Sequence, residues 1–113
     1  MPVLTNLTTG TVLAERAEVA GSLLQRIVGL LGRRSFSEGE ALIFPRCSSI
    51  HTCFMRFAID VIFLRQGAAF RLMERVHPWR MLRAAGADTA IELPAGLLAR
   101  SPIKAGERLQ WTD

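Results

Sequence analysis

The sequence reads as a mainly-β protein: a compact β-sandwich or barrel, jelly-roll-like, with one amphipathic helix. Three observations carry this expectation. Short apolar runs alternate with turn residues along most of the 113-residue chain. Only one stretch, 22–32, repeats its apolar residues at helical spacing over several turns. Half of the residues are hydrophobic, enough for one core without covalent staples. The length fits a single domain, 1–113.

Taken in order, Val3–Leu7 and Thr11–Val19 form the first two expected strands, joined through Thr8-Thr9-Gly10. A glycine there can take the positive φ of a tight turn. The second half of the later strand carries Glu15, Arg16 and Glu18, so it is half-exposed at best. Ser22 is an N-cap candidate for the helix. Leu23, Leu24, Ile27, Val28, Leu30 and Leu31 share its buried face, and Gly32-Arg33-Arg34 closes it. Residues 35–40 form a polar loop, and Ala41–Phe44 a short buried strand ending at Pro45.

The segment that follows is expected as two strands, 49–55 and 59–65, around a bend near Arg56-Phe57-Ala58. Gln66-Gly67 turns the chain into a hairpin partner, Ala68–Val76. His77-Pro78-Trp79 breaks that strand, because proline donates no ladder hydrogen bond. Residues 80–87 read as irregular. Asp88–Leu93 is a strand, Pro94 opens a short helical turn through Arg100, and Arg108–Trp111 is the last strand.

Composition narrows the function. The two cysteines, Cys47 and Cys53, form no disulfide framework. No segment has the roughly 18 apolar residues of a membrane span. Residues 1–10 lack the pattern of a signal peptide, so the expected location is the cytoplasm. The net charge of +4 comes from 13 arginines and Lys104 against 10 acidic residues, spread along the chain. That dispersion disfavours a nucleic-acid partner, which calls for a clustered basic patch.

Several phrases occur in a recognisable order. Gly29-Leu30-Leu31-Gly32-Arg33 precedes Ala41-Leu42-Ile43-Phe44. His51-Thr52-Cys53-Phe54-Met55-Arg56-Phe57 leads into Ile59-Asp60-Val61-Ile62-Phe63-Leu64. Glu92-Leu93-Pro94-Ala95-Gly96 and Ile103-Lys104-Ala105-Gly106-Glu107 complete the set. From about residue 12 to 111 the chain resembles the uncharacterised domain of unknown function 192 family (DUF192, UPF0127-type). The resemblance implies a mainly-β fold with a helix against it, and no established activity. Leu31 stands where the family usually has methionine, Phe57-Ala58 where it has Asn-Thr, and Leu97 where threonine is common.

Three groups of residues could carry chemistry. If 49–55 is extended, His51, Cys53 and Met55 share a face with Cys47 nearby. These are soft metal ligands. Residues two apart on a strand are about 7 Å apart, however, so one ion could not bind all of them without a bend. Packed thiols and a packed methionine are the preferred reading, with no metal and no cofactor expected. The second group is Arg56, Asp60 and Glu92. An aspartate opening an apolar strand needs a partner. Arg56 or a loop amide could supply it, the arginine either as a structural ion pair or as part of a pocket. The third group, Arg71 to Arg83, places arginines around His77-Pro78-Trp79, where an exposed ring could stack on a base.

The leading expectation is a non-catalytic ligand-binding or interaction module for a small molecule or protein. Its polar cleft would combine His51, Met55, Arg56 and Asp60 with the turn carrying Glu92, Pro94 and Gly96. One alternative is a small hydrolase, acting for example on carbohydrate, with Asp60 and Glu92 as acid and base. Another is a weak single-stranded nucleic-acid binder through Arg71–Arg83. The sequence names neither the ligand nor an oligomeric state.

Overall fold

The computed structural model describes residues 2–20 and 36–112. The helix expected over 22–32 lies outside the described residues. The elements are β1 (Val3–Asn6), β2 (Thr11–Ala14), β3 (Arg16–Val19), β4 (Glu40–Pro45), β5 (Ser49–His51), β6 (Ile59–Arg65), β7 (Ala68–Val76), β8 (Met81–Arg83), β9 (Thr89–Pro94), α1 (Leu97–Arg100) and β10 (Leu109–Thr112). The mainly-β expectation is borne out.

Three sheets form. Five strands in the order β3-β4-β9-β6-β7 make the central sheet, β10-β1-β2 a second and the ribbon β5-β8 a third. The sheets are layered, and no closed barrel forms among the described residues. The β3–β4 pair is parallel, which departs from an all-antiparallel jelly roll.

The central sheet is organised around β6, which is buried from Ile59 to Leu64. A strand covered on both faces has apolar residues in both alternating sets. Ile62 and Leu64 join Ile43, Ile91 and Leu93 in a core closed by Leu4, Leu13 and Leu109 of the second sheet. Val61 and Phe63 join Leu42, Phe44 and Ala90 in another core on the opposite face. Ile50 and Leu82, from the β5–β8 ribbon, pack against that second core.

Four differences from the sequence-based expectation have physical causes. The single strand expected over 11–19 divides at Glu15, because β2 pairs with β1 while β3 joins the central sheet beside β4. The strand expected over 49–55 stops at His51, and the chain then turns to meet residues 77–80. The irregular stretch 80–87 contains β8, whose three residues pair antiparallel with β5. Pro94 closes β9 instead of opening the helical turn, which begins at Leu97 after Gly96 at φ 94°. That left-handed backbone turns the strand end into α1, where glycine is the unstrained choice.

Candidate functional site

Asp60 is fully buried on β6. Its Oδ1 accepts the Arg75 backbone N–H at 2.9 Å and its Oδ2 accepts the Leu98 N–H at 2.8 Å. The first bond seats a β-bulge. Ile59 pairs with Val76 and Val61 with Met73, so Asp60 alone faces Glu74 and Arg75. Arg75 takes φ 49°, and its amide turns toward the carboxylate. The second bond anchors α1. Backbone amides therefore satisfy both oxygens, while Arg56 lies exposed on the bend. Of the two expected kinds of partner, Arg56 and a loop amide, backbone amides are the ones that take the carboxylate.

Glu92 lies on the other side of the sheet. In the β6–β9 register Asp60 faces Leu93 and Val61 faces Glu92. Leu93 belongs to the first core and Val61 to the second, so alternation sends the two carboxyls to opposite faces. Leu42 flanks Glu92 on β4. The Glu92 side chain is 3% exposed, and among the described residues its Oε1 has no hydrogen-bond partner. Burial pushes its pKa from 4.5 up to about 8, so it is a neutral acid at pH 7.

The other expected residues disperse. Met55 is buried in the second core, and His51 is exposed on β5. The Cys47 thiol donates to the Ser49 carbonyl at 3.0 Å, and both cysteines are free. Cys53 and Met55 lie in the turn that follows β5, so they do not share a strand face with His51. Among the described residues no three of His, Cys, Asp or Glu converge as a metal site. At Gly96, an added Cβ would lie 3.0 Å from an Arg100 guanidinium nitrogen and 3.4 Å from one of Arg75. Arg100 also pairs with Glu38 at 3.2 Å, and both lie on a cleft of about 310 Å³ beside β2 and β3. That ion pair is exposed and contributes little.

A different group does converge. Thr52 is fully buried where the turn after β5 meets the loop before β8. Its hydroxyl donates to the His77 carbonyl at 2.7 Å and accepts the Arg80 N–H at 2.9 Å. Its own N–H donates to the Arg80 carbonyl at 2.9 Å, and its carbonyl accepts the N–H groups of Met55 and Trp79 at 3.2 and 3.1 Å. These bonds clamp two loops and thrust two rings outward. Phe54 is 67% and Trp79 59% exposed, with ring centroids 4.6 Å apart and planes tilted by 60°. Met81, the next large apolar side chain along, is 84% exposed. Both ring residues have left-handed backbone, φ 68° for Phe54 and 67° for Trp79. Such angles are strained for bulky residues. The sequence marked Trp79 by its Pro-Trp break. It gave no sign that Phe54 and Met81 would join it, because those contacts depend on the β5–β8 pairing.

Residues 4–111 match the family DUF192, described as "Uncharacterized ACR". The chain belongs to the DUF192 family. A UPF0127 protein of Thermococcus sibiricus is 31% identical over 114 residues, spanning 96% of this chain and 74% of that protein. A UPF0127 protein of Pyrococcus furiosus is 30% identical, spanning 94% and 95%. Two crystal structures share the fold. A protein of unknown function from Novosphingobium aromaticivorans aligns with TM-score 0.81 at 24% identity, covering 97% of this chain and 83% of its own. A protein from Sinorhizobium meliloti described as a "putative transcription regulator" aligns with TM-score 0.83 at 21% identity, covering 97% and 91%.

Within this DUF192 chain, the departure from Asn-Thr at Phe57-Ala58 has a packing role. Phe57 lies against the second core, its ring 6.3 Å from that of Phe36. An apolar side chain packs against the core there.

Three outcomes are expected. Asp60→Asn leaves one acceptor for two amide donors and turns an NH₂ group toward an N–H, so thermal melts should show a loss of about 3 kcal/mol. Thr52→Val keeps the shape but strands the Arg80 N–H and the His77 carbonyl, costing about 2 kcal/mol, whereas Thr52→Ser should stay close to wild type. For Glu92, the unfolded chain ionises near pH 4.5 and the folded chain near 8. Its stabilising contribution is complete below the lower value, falls by about 1.4 kcal/mol per pH unit between the two, and is lost above the upper. Glu92→Gln removes this titration. Its Tm should therefore rise relative to wild type as melts are taken from about pH 5 to 8; parallel profiles would refute the burial effect.

Proposed function

We propose that this chain is a non-catalytic interaction module that engages its partner through the Phe54–Trp79 tip at the edge of the Met55–Asp60 bend. The observation that carries this reading is the display of two strained, exposed aromatic residues on a loop pair locked by one buried threonine. Left-handed backbone costs a non-glycine residue roughly 1–2 kcal/mol. A fold that needed only a turn could relieve that cost with glycine at either position. Rings held outward, on backbone fixed by Thr52, are preorganised for contact. The S. meliloti homologue's description as a "putative transcription regulator" belongs to the same broad class of interacting proteins.

The hydrolase alternative draws no support from the carboxyl geometry. An acid–base pair must reach one scissile bond. The central sheet lies between Asp60 and Glu92, and the Asp60 oxygens are engaged by two amides.

The expected signature is a trade between stability and function. In Phe54→Gly/Trp79→Gly, relief of backbone strain offsets the lost ring contact, worth about 0.5–1.5 kcal/mol. The double variant should melt within about 4 °C of wild type or above it. A fall of some 10 °C would show that the rings hold the fold together, and the interaction reading would fail.

A further inference from the structure

We infer that the partner of this tip is single-stranded nucleic acid, an inference that rests on the tip being an interaction surface. Along the sequence the arginines look dilute, but folding gathers several of them. The two segments that build the tip and its ribbon, 46–58 and 75–87, contain Arg46, Arg56, Arg75, Arg80 and Arg83 and no aspartate or glutamate. All five are exposed. Arg80 and Arg83 lie on or beside β8 and Arg56 follows the turn clamped by Thr52, so three of these cations flank the tip and ribbon, which suits a polyanion.

The β5–β8 ribbon supplies a track. Ile50 and Leu82 point inward to the second core, so Ser49, His51, Met81 and Arg83 form the outer row. Across the ribbon Ser49 faces Arg83 and His51 faces Met81. The ribbon borders a groove of about 330 Å³, lined by this row together with Ile50 and Leu82. The surface therefore passes from stacking rings at the tip, through Met81 and His51, to the Arg83 cation. Rings can stack on unpaired bases while arginines meet the phosphates. Bases in a duplex are already stacked on one another and are closed to these rings. An anionic membrane would also attract the arginines. Insertion of the ribbon face, however, would strip water from Ser49, His51 and Arg83, which share the outer row with Met81. A single strand leaves those groups hydrated or bonded.

The test is fluorescence anisotropy with the whole chain and a labelled oligo(dT) of roughly 12 nucleotides, at about 25 mM and 200 mM salt. Expected are saturable micromolar binding at low salt and weaker binding at high salt. Neutralisation of about three phosphates gives a log–log slope near −2. Phe54→Gly/Trp79→Gly should weaken binding ~10-fold or more. Arg80→Gln/Arg83→Gln should weaken it and flatten the slope by about 1.

Three results would overturn the inference: no binding at low salt, binding indifferent to loss of both rings, or a duplex of equal length held as tightly as the single strand. Sedimentation of the chain with phosphatidylserine-containing vesicles, without oligonucleotide binding, would also overturn it and leave the tip as a membrane contact. The melts of the double glycine variant decide separately whether the tip is an interaction surface at all. An unchanged Tm with no oligonucleotide binding rejects the nucleic acid alone, whereas a large fall in Tm rejects both.

Discussion

Asp60 sets the geometry on which the rest depends. A carboxylate with no exposed surface must have its charge met by donors, and two backbone amides meet it. The Arg75 amide is available only because β7 carries an extra residue opposite Asp60. That bulge bends the end of β7 and delivers Val76 to Ile59. His77 follows, and its carbonyl takes the Thr52 hydroxyl. The other oxygen fixes the start of α1, through which the chain leaves the sheet. One side chain thus couples the buried middle of the sheet to both of its exits, and one of those exits leads to the aromatic tip.

The interior leaves little room for function. Among the described residues β6 is covered on both faces, so the middle of the central sheet is filled by the two cores. Glu92 illustrates the consequence. It occupies a core position beside Val61 and Leu42, where its burial keeps it neutral at pH 7. Its Oε1, without a partner among the described residues, is on the face of the second core, away from Asp60. Chemistry in a fold of this kind is displaced to the loops that the rigid layers hold in place.

What the sequence revealed follows from which interactions are local. The apolar run at 59–64 and the Gln66-Gly67 turn identify the β6–β7 hairpin, because its register is fixed within a few residues. The need to satisfy Asp60 was equally visible from its place at the head of that run. Its actual partners were not, because a bulge amide and an amide 38 residues away are products of the folded register. An amide partner was one of the two expectations; Arg56, the other, was close only in sequence. The same limit hid β8, whose three residues become a strand by pairing with β5, and it placed Asp60 and Glu92 in one imagined cleft. Relative facing depends on strand pairing, which periodicity within a single strand cannot supply.

The strain at the tip separates two explanations that burial alone would confuse. Exposed apolar side chains are common on folded proteins and need no special cause when scattered. Phe54 and Trp79 are not scattered: they touch, and both carry backbone angles that most large residues avoid. Strain of this kind persists only where surrounding bonds enforce it. Here the bonds radiate from Thr52, whose polar groups are all taken up by the two loops. The threonine would hold the loops equally well with glycine at both ring positions. What it would not then hold is a pair of rings above a ribbon flanked by arginines, and that combination is what a folding requirement leaves unexplained.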